Sequence, residues 1–185
     1  MAFLRTSLCI LAVAAASLTV ESVSAQPVAD EYQVKAAYLL NFARFVEWPA
    51  GDLPASSPLE IVIVGDDSFG GALEVVLLGK SANGHPIHLR HVHWDDVLTS
   101  YQIVFISVSE ERHLPQILRF LGHSSVLTVS DIDRFALRGG VIEFRIVGNR
   151  VRFDINRTSA VAAQLNISSK LLAVARAIQE GSVPR

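Results

Sequence analysis

The sequence has little cysteine: its single one, Cys9, lies in an uncharged apolar stretch near the amino terminus. Residues 26–185 therefore have no disulfide, no cysteine metal ligand and no cysteine nucleophile. An excess of charge of one sign is also lacking, since 16 basic and 18 acidic residues give a formal net charge of −2. Such a balance provides no strong field for nucleic acid, so we expect no nucleic-acid partner.

Long hydrophobic runs are missing after residue 25, and no integral membrane segment is expected there. The first 25 residues differ, because Arg5 precedes an uncharged run up to Val20 and small residues follow at 23–25. That run is shorter than the roughly 20 apolar residues of a spanning helix. The pattern predicts a signal peptide over residues 1–25, cleaved near Ala25, and therefore export. An uncleaved anchor or a buried helix is the alternative.

Motifs of known catalytic chemistry are missing as well. The chain contains no G-x-G-x-x-G, no G-x-S-x-G and no metal-binding His–Glu helix motif. No catalytic residue and no cofactor are therefore predicted. Four histidines, at positions 85, 88, 91 and 93, lie close together, but no thiolate or carboxylate is spaced to join them. We expect them to be solvated residues of an edge strand, and no metal site is predicted.

The length and hydrophobic content indicate one domain over residues 26–185. An amphipathic helix is predicted over residues 30–48, its buried arc being Val34, Tyr38, Leu39, Phe42, Phe45 and Val46. Lys35 falls inside that arc, and a side chain that extends to solvent is favoured there over a ligand contact. Short apolar runs at 59–64, 102–107 and 126–130 are typical of strands buried on both faces. Helical patterns at 69–78 and 110–121 alternate with them, and residues 86–92 predict an edge strand.

The last third of the chain predicts a β-hairpin with one buried and one solvated face. Alternation around Gly148 and Asn149 pairs Ile146 with Val151, Phe144 with Phe153 and Ile142 with Ile155. Helices are predicted over residues 157–165 and 168–179. The fold class is therefore α/β: a single domain with a mixed sheet flanked by helices, a C-terminal hairpin and helices.

Three blocks of sequence together are more specific than any single motif. They are KAAYLLNF at 35–42 with FVEWP at 45–49; VLTVSD at 126–131 with Phe135 and GGVI at 139–142; and RFDIN at 152–156 with Leu165 and ISSKLL at 167–172. In order and spacing these blocks resemble the YfiR family of bacterial periplasmic proteins. The resemblance covers about residues 34–178.

The resemblance implies a non-enzymatic periplasmic regulator. Proteins of this family bind the periplasmic part of an inner-membrane diguanylate cyclase and hold it inactive, and an outer-membrane lipoprotein can sequester them. By this resemblance, the expected partner is such a cyclase or a sensor kinase, and a homodimer is also expected. Some family members have paired cysteines, which residues 26–185 lack, so redox tuning is not expected here.

Two sets of residues are candidates for binding. The polar hairpin face and the end of the opening helix are candidates for binding a protein partner, because arginine and aromatic side chains often anchor interfaces. The candidate residues are Trp48, Glu143, Arg145, Arg152 and Asp154. The alternative is a small-molecule sensor that uses loops at strand ends, with Asp66 and Asp131 as ligand-binding residues. In the loop that contains Asp66, Asp67 or Ser68 is expected to cap the following helix.

Overall fold

The computed structural model describes residues 26–96, 100–122 and 124–180; the predicted signal peptide and Cys9 lie outside them. The helices are α1 Gln26–Phe45, α2 Ala72–Leu77, α3 Leu114–Leu121, α4 Arg157–Ala162 and α5 Ser169–Val174, with a 3-10 turn at Val108–Glu110. The strands are β1 Val46–Glu47, β2 Leu59–Val64, β3 Ser81–Ala82, β4 His85–Val92, β5 Ile103–Ile106, β6 Leu127–Ser130, β7 Ile142–Val147, β8 Arg150–Asn156, β9 Asn166–Ile167 and β10 Ala177–Gln179. No helix in the described ranges has both the length and the apolar character needed to cross a membrane.

Within the described residues, eight strands form one sheet in the order β10-β8-β7-β6-β5-β2-β4-β3. The neighbouring strands are parallel from β4 through β2, β5 and β6 to β7 in this order. The β7–β8 and β3–β4 pairs are antiparallel. Strand β10 adds to β8 in parallel. This mixed sheet with helices confirms the predicted α/β class, and the strand predicted over residues 59–64 has the same bounds as β2.

Helices cover both faces of the sheet, and the sheet separates the core into two layers. Ile61 and Ile63 of β2 pack with α1 and α2, while Val62 and Val64 pack with α3 on the other face. Alternate side chains of a strand point to opposite faces, so a strand covered on both sides is apolar throughout. This arrangement explains the continuous apolar runs of the sequence.

The opening helix differs from its prediction at both ends. It begins at Gln26 and ends at Phe45, because Val46–Glu47 form β1 and pair with β9. Leu39 and Phe42 of the predicted arc are completely buried, but Val34 is 43% exposed. The helices α2 and α3 also begin later than predicted. Asp67 and Ser68 do not cap α2, whose N-cap is Gly71, and Asp67 instead accepts a hydrogen bond from the Phe69 amide.

The hairpin prediction is confirmed down to its register. Ile146 pairs with Val151, Phe144 with Phe153 and Ile142 with Ile155 across β7 and β8. Gly148 and Asn149 both have positive φ angles, 54° and 59°. A two-residue loop of this kind matches the twist of the two strands and so fixes their pairing.

The helix predicted over residues 168–179 is wrong in its second half. Helix α5 ends at Val174, Ala175 is extended, and Ala177–Gln179 form β10 beside β8. The Arg176 amide donates to the Phe153 carbonyl, and the Arg176 side chain forms an ion pair with Asp154. The amide bond to Phe153 and the pairing of β10 with β8 replace the helical hydrogen bonds of this segment.

Candidate functional site

The carboxyl ends of β2, β5 and β6 meet at one edge of the sheet. From β2 the chain moves outward to β4 and then returns to β5 on the other side, so the strand order reverses between β2 and β5. In open α/β sheets, ligands commonly bind at such a reversal. Asp66 follows β2 and Asp131 follows β6. Both predicted ligand-binding residues therefore lie along this edge.

The loops after β2 and β5 fill the point of reversal with contacts to each other. The Asp66 amide donates to Ser109 Oγ at 3.0 Å, and Ser68 Oγ lies 3.3 Å from Ser107 Oγ. Gly65 has a φ of +90°, and a Cβ added there would lie 2.5 Å from Ser109 Oγ. Glycine is therefore required for this close approach. The Asp66 side chain is exposed beside these loops.

Asp131 is held by two side chains of α1. Its Oδ2 atom accepts from Lys35 Nζ at 2.6 Å and from Tyr32 Oη at 2.7 Å. Lys35 Nζ also lies 2.5 Å from Glu31 Oε1. The Lys35 side chain is only 2% exposed, so the prediction that it reaches solvent is wrong. Two carboxylates satisfy the ammonium group inside the fold, which removes the need to reach water.

The protonation of this cluster follows from its contacts. Burial opposes the Lys35 charge, but the hydrogen bonds to Asp131 and Glu31 outweigh it and raise the pKa of Lys35. Burial and the hydrogen bond to Asp131 raise the pKa of Tyr32. Lys35 is therefore a cation at neutral pH, and the tyrosine keeps its proton. The cluster holds α1 against the end of β6. Because Lys35 is charged, its amine cannot accept a proton.

Two acidic residues predicted for the solvated hairpin face are buried. Glu143 is 2% exposed and accepts hydrogen bonds from the amides of Arg134 and Ala136, at 3.1 and 3.0 Å. Arg145 Nη1 lies 2.6 Å from Glu143 Oε1. Asp154 is 1% exposed and accepts from Arg176 Nε at 2.7 Å. The prediction of a solvated face is wrong at both positions, because these partners hold the two carboxylates inside the fold.

The other predicted partner-binding residues lie at two separate places. Arg145 and Arg152 are directly opposite each other on the hairpin, and both are half-buried. They lie beyond the pair of Ser130 and Glu143, on the side of the carboxyl edge. Trp48 donates from Nε1 to the carbonyl of Gln102, just before β5 begins, at the opposite edge. The residues therefore do not form one continuous surface.

The histidines of the edge strand each have a separate partner. His85 Nδ1 lies 2.8 Å from the Ser57 carbonyl, and His88 lies 3.1 Å from Glu60. His93 contacts Asp95, and the hydrogen bond with that carboxylate raises the pKa of His93. The predicted position on an edge strand is confirmed for His88 and His91, since β3 covers only the first two residues of β4; His85 is one of those two, and His93 follows the end of the strand.

His91 has a different environment, which the sequence spacing did not indicate. Its Nε2 atom lies 3.1 Å from Glu74 Oε1, and one ligand atom each of Asp67, Glu74 and His91 lies within 4.8 Å of the others. These residues come from a loop, a helix and a strand, so no linear motif could have brought them together. Imidazole and carboxylate are ligands for zinc and related cations, and this exposed group could hold one.

Comparisons with known proteins place this chain in a family. The sequence profile of the family DUF4154, described as YfiR/HmsC-like, matches residues 32–176. The crystal structure of a conserved domain protein from Vibrio cholerae O1 biovar El Tor strain N16961 is similar, with a TM-score of 0.52 and 13% sequence identity. The alignment covers 80% of this chain and 60% of that chain. At this identity the likeness concerns the fold alone.

Proposed function

Since the chain belongs to the YfiR/HmsC-like family, whose general role is periplasmic regulation of cyclic di-GMP signalling, we propose that it represses an inner-membrane signalling protein by binding its periplasmic part. The family match over residues 32–176 is the observation that carries this proposal. A diguanylate cyclase is the first candidate partner, and a sensor kinase is the second. Competition by an outer-membrane lipoprotein would release the partner. The chain acts without catalysis in this proposal.

Repression requires that the regulator distinguish two states of its partner. A bound protein shifts an equilibrium only by the difference between its affinities for the two states. The chain must therefore bind the inactive form of the cyclase or kinase more tightly than the active form. A tight complex with equal affinity for both forms would leave the output unchanged.

The hairpin is the partner surface that we favour. Glu143 is neutralised by Arg145, and Asp154 by Arg176, while Arg150 and Arg152 have no salt bridge among the described residues. Next to them, Ile146 and Val147 are 49% and 46% exposed. The result is an apolar tip beside a positive charge. A partner with an acidic, partly apolar patch would be complementary to it.

Trp48 belongs to a second, independent candidate surface. Its indole is partly buried against the core and its Nε1 proton is already donated within the fold. Replacement of Trp48 would therefore affect stability as well as any contact with a partner. The hairpin arginines provide the cleaner test.

The test is chemical crosslinking of the exported chain to membranes of the native host. We expect a cyclase or kinase to be captured, and to be captured several-fold less by Arg150→Glu/Arg152→Glu. The matched control is Arg112→Glu, at an exposed position on the turn before α3. Capture of no membrane signalling protein would contradict the proposed function. Equal capture by the hairpin variant would contradict only the choice of surface.

A further inference from the structure

A cavity of about 640 Å³ lies between α3 and α4, and its α3 wall belongs to the core layer on the face of the sheet opposite α1. Leu114, Leu118 and Leu121 of α3 form one apolar wall, and Val126 and Val141 lie at the base. Sites for small molecules are typically 300–1,000 Å³, largely apolar, and contain a few polar groups. The cavity is of that size and character. It is distinct from the strand-end loops at Asp66 and Asp131.

The charged groups that line the cavity are of one sign. Arg119 and Arg138 contribute to it, and the described lining contains no aspartate or glutamate. Arg138 Nη1 donates to Glu111 at 3.0 Å, and that carboxylate is more than half exposed and outside the lining. Guanidinium groups have several donors and bind carboxylates in well-defined geometry. An anionic group at the mouth would be attracted by both arginines.

Ser159 provides a second observation. It lines the cavity, the residue is only 7% exposed, and its Oγ atom has no hydrogen-bond partner within the described structure. Buried hydroxyl groups usually have a partner, because an unpaired one has lost its bonds to water without replacement. Because that oxygen is itself buried, a rotation of the Ser159 side chain toward the cavity would let a polar group of a bound molecule supply the missing hydrogen bond.

We propose that this cavity binds a small organic anion with an apolar body, of the class of medium-chain carboxylates. The hydrocarbon part lies against the leucines of α3, and the carboxylate is bound by Arg119 and Arg138. The inference does not depend on the identity of any protein partner. It gives the regulator a ligand site between α3 and α4.

The first test is isothermal titration of residues 26–185 with octanoate, octanol and octylamine. All three probes have the same chain length and differ in the charge of the head group. We expect saturable binding of one octanoate per chain, with octanol weaker by roughly 10-fold or more, because a charge-assisted hydrogen bond is lost. Octylamine should bind weakest. Absence of saturable octanoate binding, or equal affinity for octanoate and octylamine, would overturn the proposal.

Matched variants locate the site. Ala162→Phe places a ring in the lining, whereas Val161→Phe places the same ring at a neighbouring exposed position of α4 outside the lining. We expect the first variant to lose octanoate binding and the second to retain it. Arg119→Gln/Arg138→Gln should weaken octanoate roughly 10-fold and leave octanol unchanged. Thermal unfolding without ligand verifies that each variant is folded, and equal binding by both phenylalanine variants would place the ligand elsewhere.

Discussion

Lys35 is a buried cation, and at the scale of single residues it is the most informative one in the fold. Its ammonium group has two carboxylate partners, of which Asp131 is 96 residues away in the chain. The sequence signal was a charge inside an apolar arc, and both solvent exposure and burial fit that signal. Only the position of Asp131 at the end of β6 decides between them, and single-sequence periodicity does not contain that position.

Removal of the Lys35 charge should destabilise the fold strongly. Lys35→Met leaves the Asp131 carboxylate without its cation in a mostly buried site, which costs about 3 kcal/mol of unfolding free energy. Lys170→Met, at an exposed position in α5, should change it by less than about 0.5 kcal/mol. Urea denaturation measures both. A Lys35→Met protein as stable as the control would mean that the ion pair does not stabilise the fold.

The same cluster predicts a loss of stability at alkaline pH. The pKa values of Lys35 and Tyr32 are both raised in the fold, so their protonated forms are stabilised by folding. That contribution is complete below the unfolded-state pKa values, near 10, and is lost as the pH rises through the higher folded-state values. We expect the wild type to lose more stability above pH 10 than Tyr32→Phe/Lys35→Met does. An equal loss of stability in the wild type and the double variant would contradict this assignment. Tyr38→Phe, which removes a hydroxyl group elsewhere on α1, is the control.

At the scale of elements, the hairpin and β10 show what local sequence determines. Strict alternation in β7 and β8, with a two-residue Gly148–Asn149 loop, predicted the strand pairing because any slip by one residue would expose the apolar set. Strand β10 was missed because the apolar spacing around it also fits a helix. What ends that helix is the contact of Arg176 with β8, which lies outside the local pattern.

The ion pair between Arg176 and Asp154 should therefore hold β10 in the sheet. Arg176→Gln leaves the buried Asp154 carboxylate without its cation; since Arg176 is 40% exposed, water screens part of the loss, and we expect about 2 kcal/mol. Hydrogen exchange of the amides of residues 177–179 should become at least about 10-fold faster, because the edge strand opens locally. Arg157→Gln, at the exposed start of α4, is the control. Unchanged exchange would show that backbone pairing alone retains β10.

At the scale of the whole molecule, the predicted α/β class and most strands are confirmed, while the candidate binding residues stay predictions. Apolar runs reveal which segments are buried on both faces, and those set the sheet. Binding surfaces depend on which charges are left without partners after folding. The sequence does not distinguish the buried Glu143 and Asp154 from the more exposed arginines of the hairpin, because the burial of these carboxylates depends on the fold of the loop at 134–136 and on Arg176.

The proposed repression of an inner-membrane diguanylate cyclase predicts that the chain lowers cyclic di-GMP in the cell. Its most direct test is the cyclic di-GMP content of host cells that lack the gene, measured by mass spectrometry and compared with complemented strains. We predict a several-fold rise on deletion, a return to the starting level with the wild-type chain, and little return with Arg150→Glu/Arg152→Glu despite normal export and folding. An unchanged cyclic di-GMP content after deletion would contradict repression of a diguanylate cyclase.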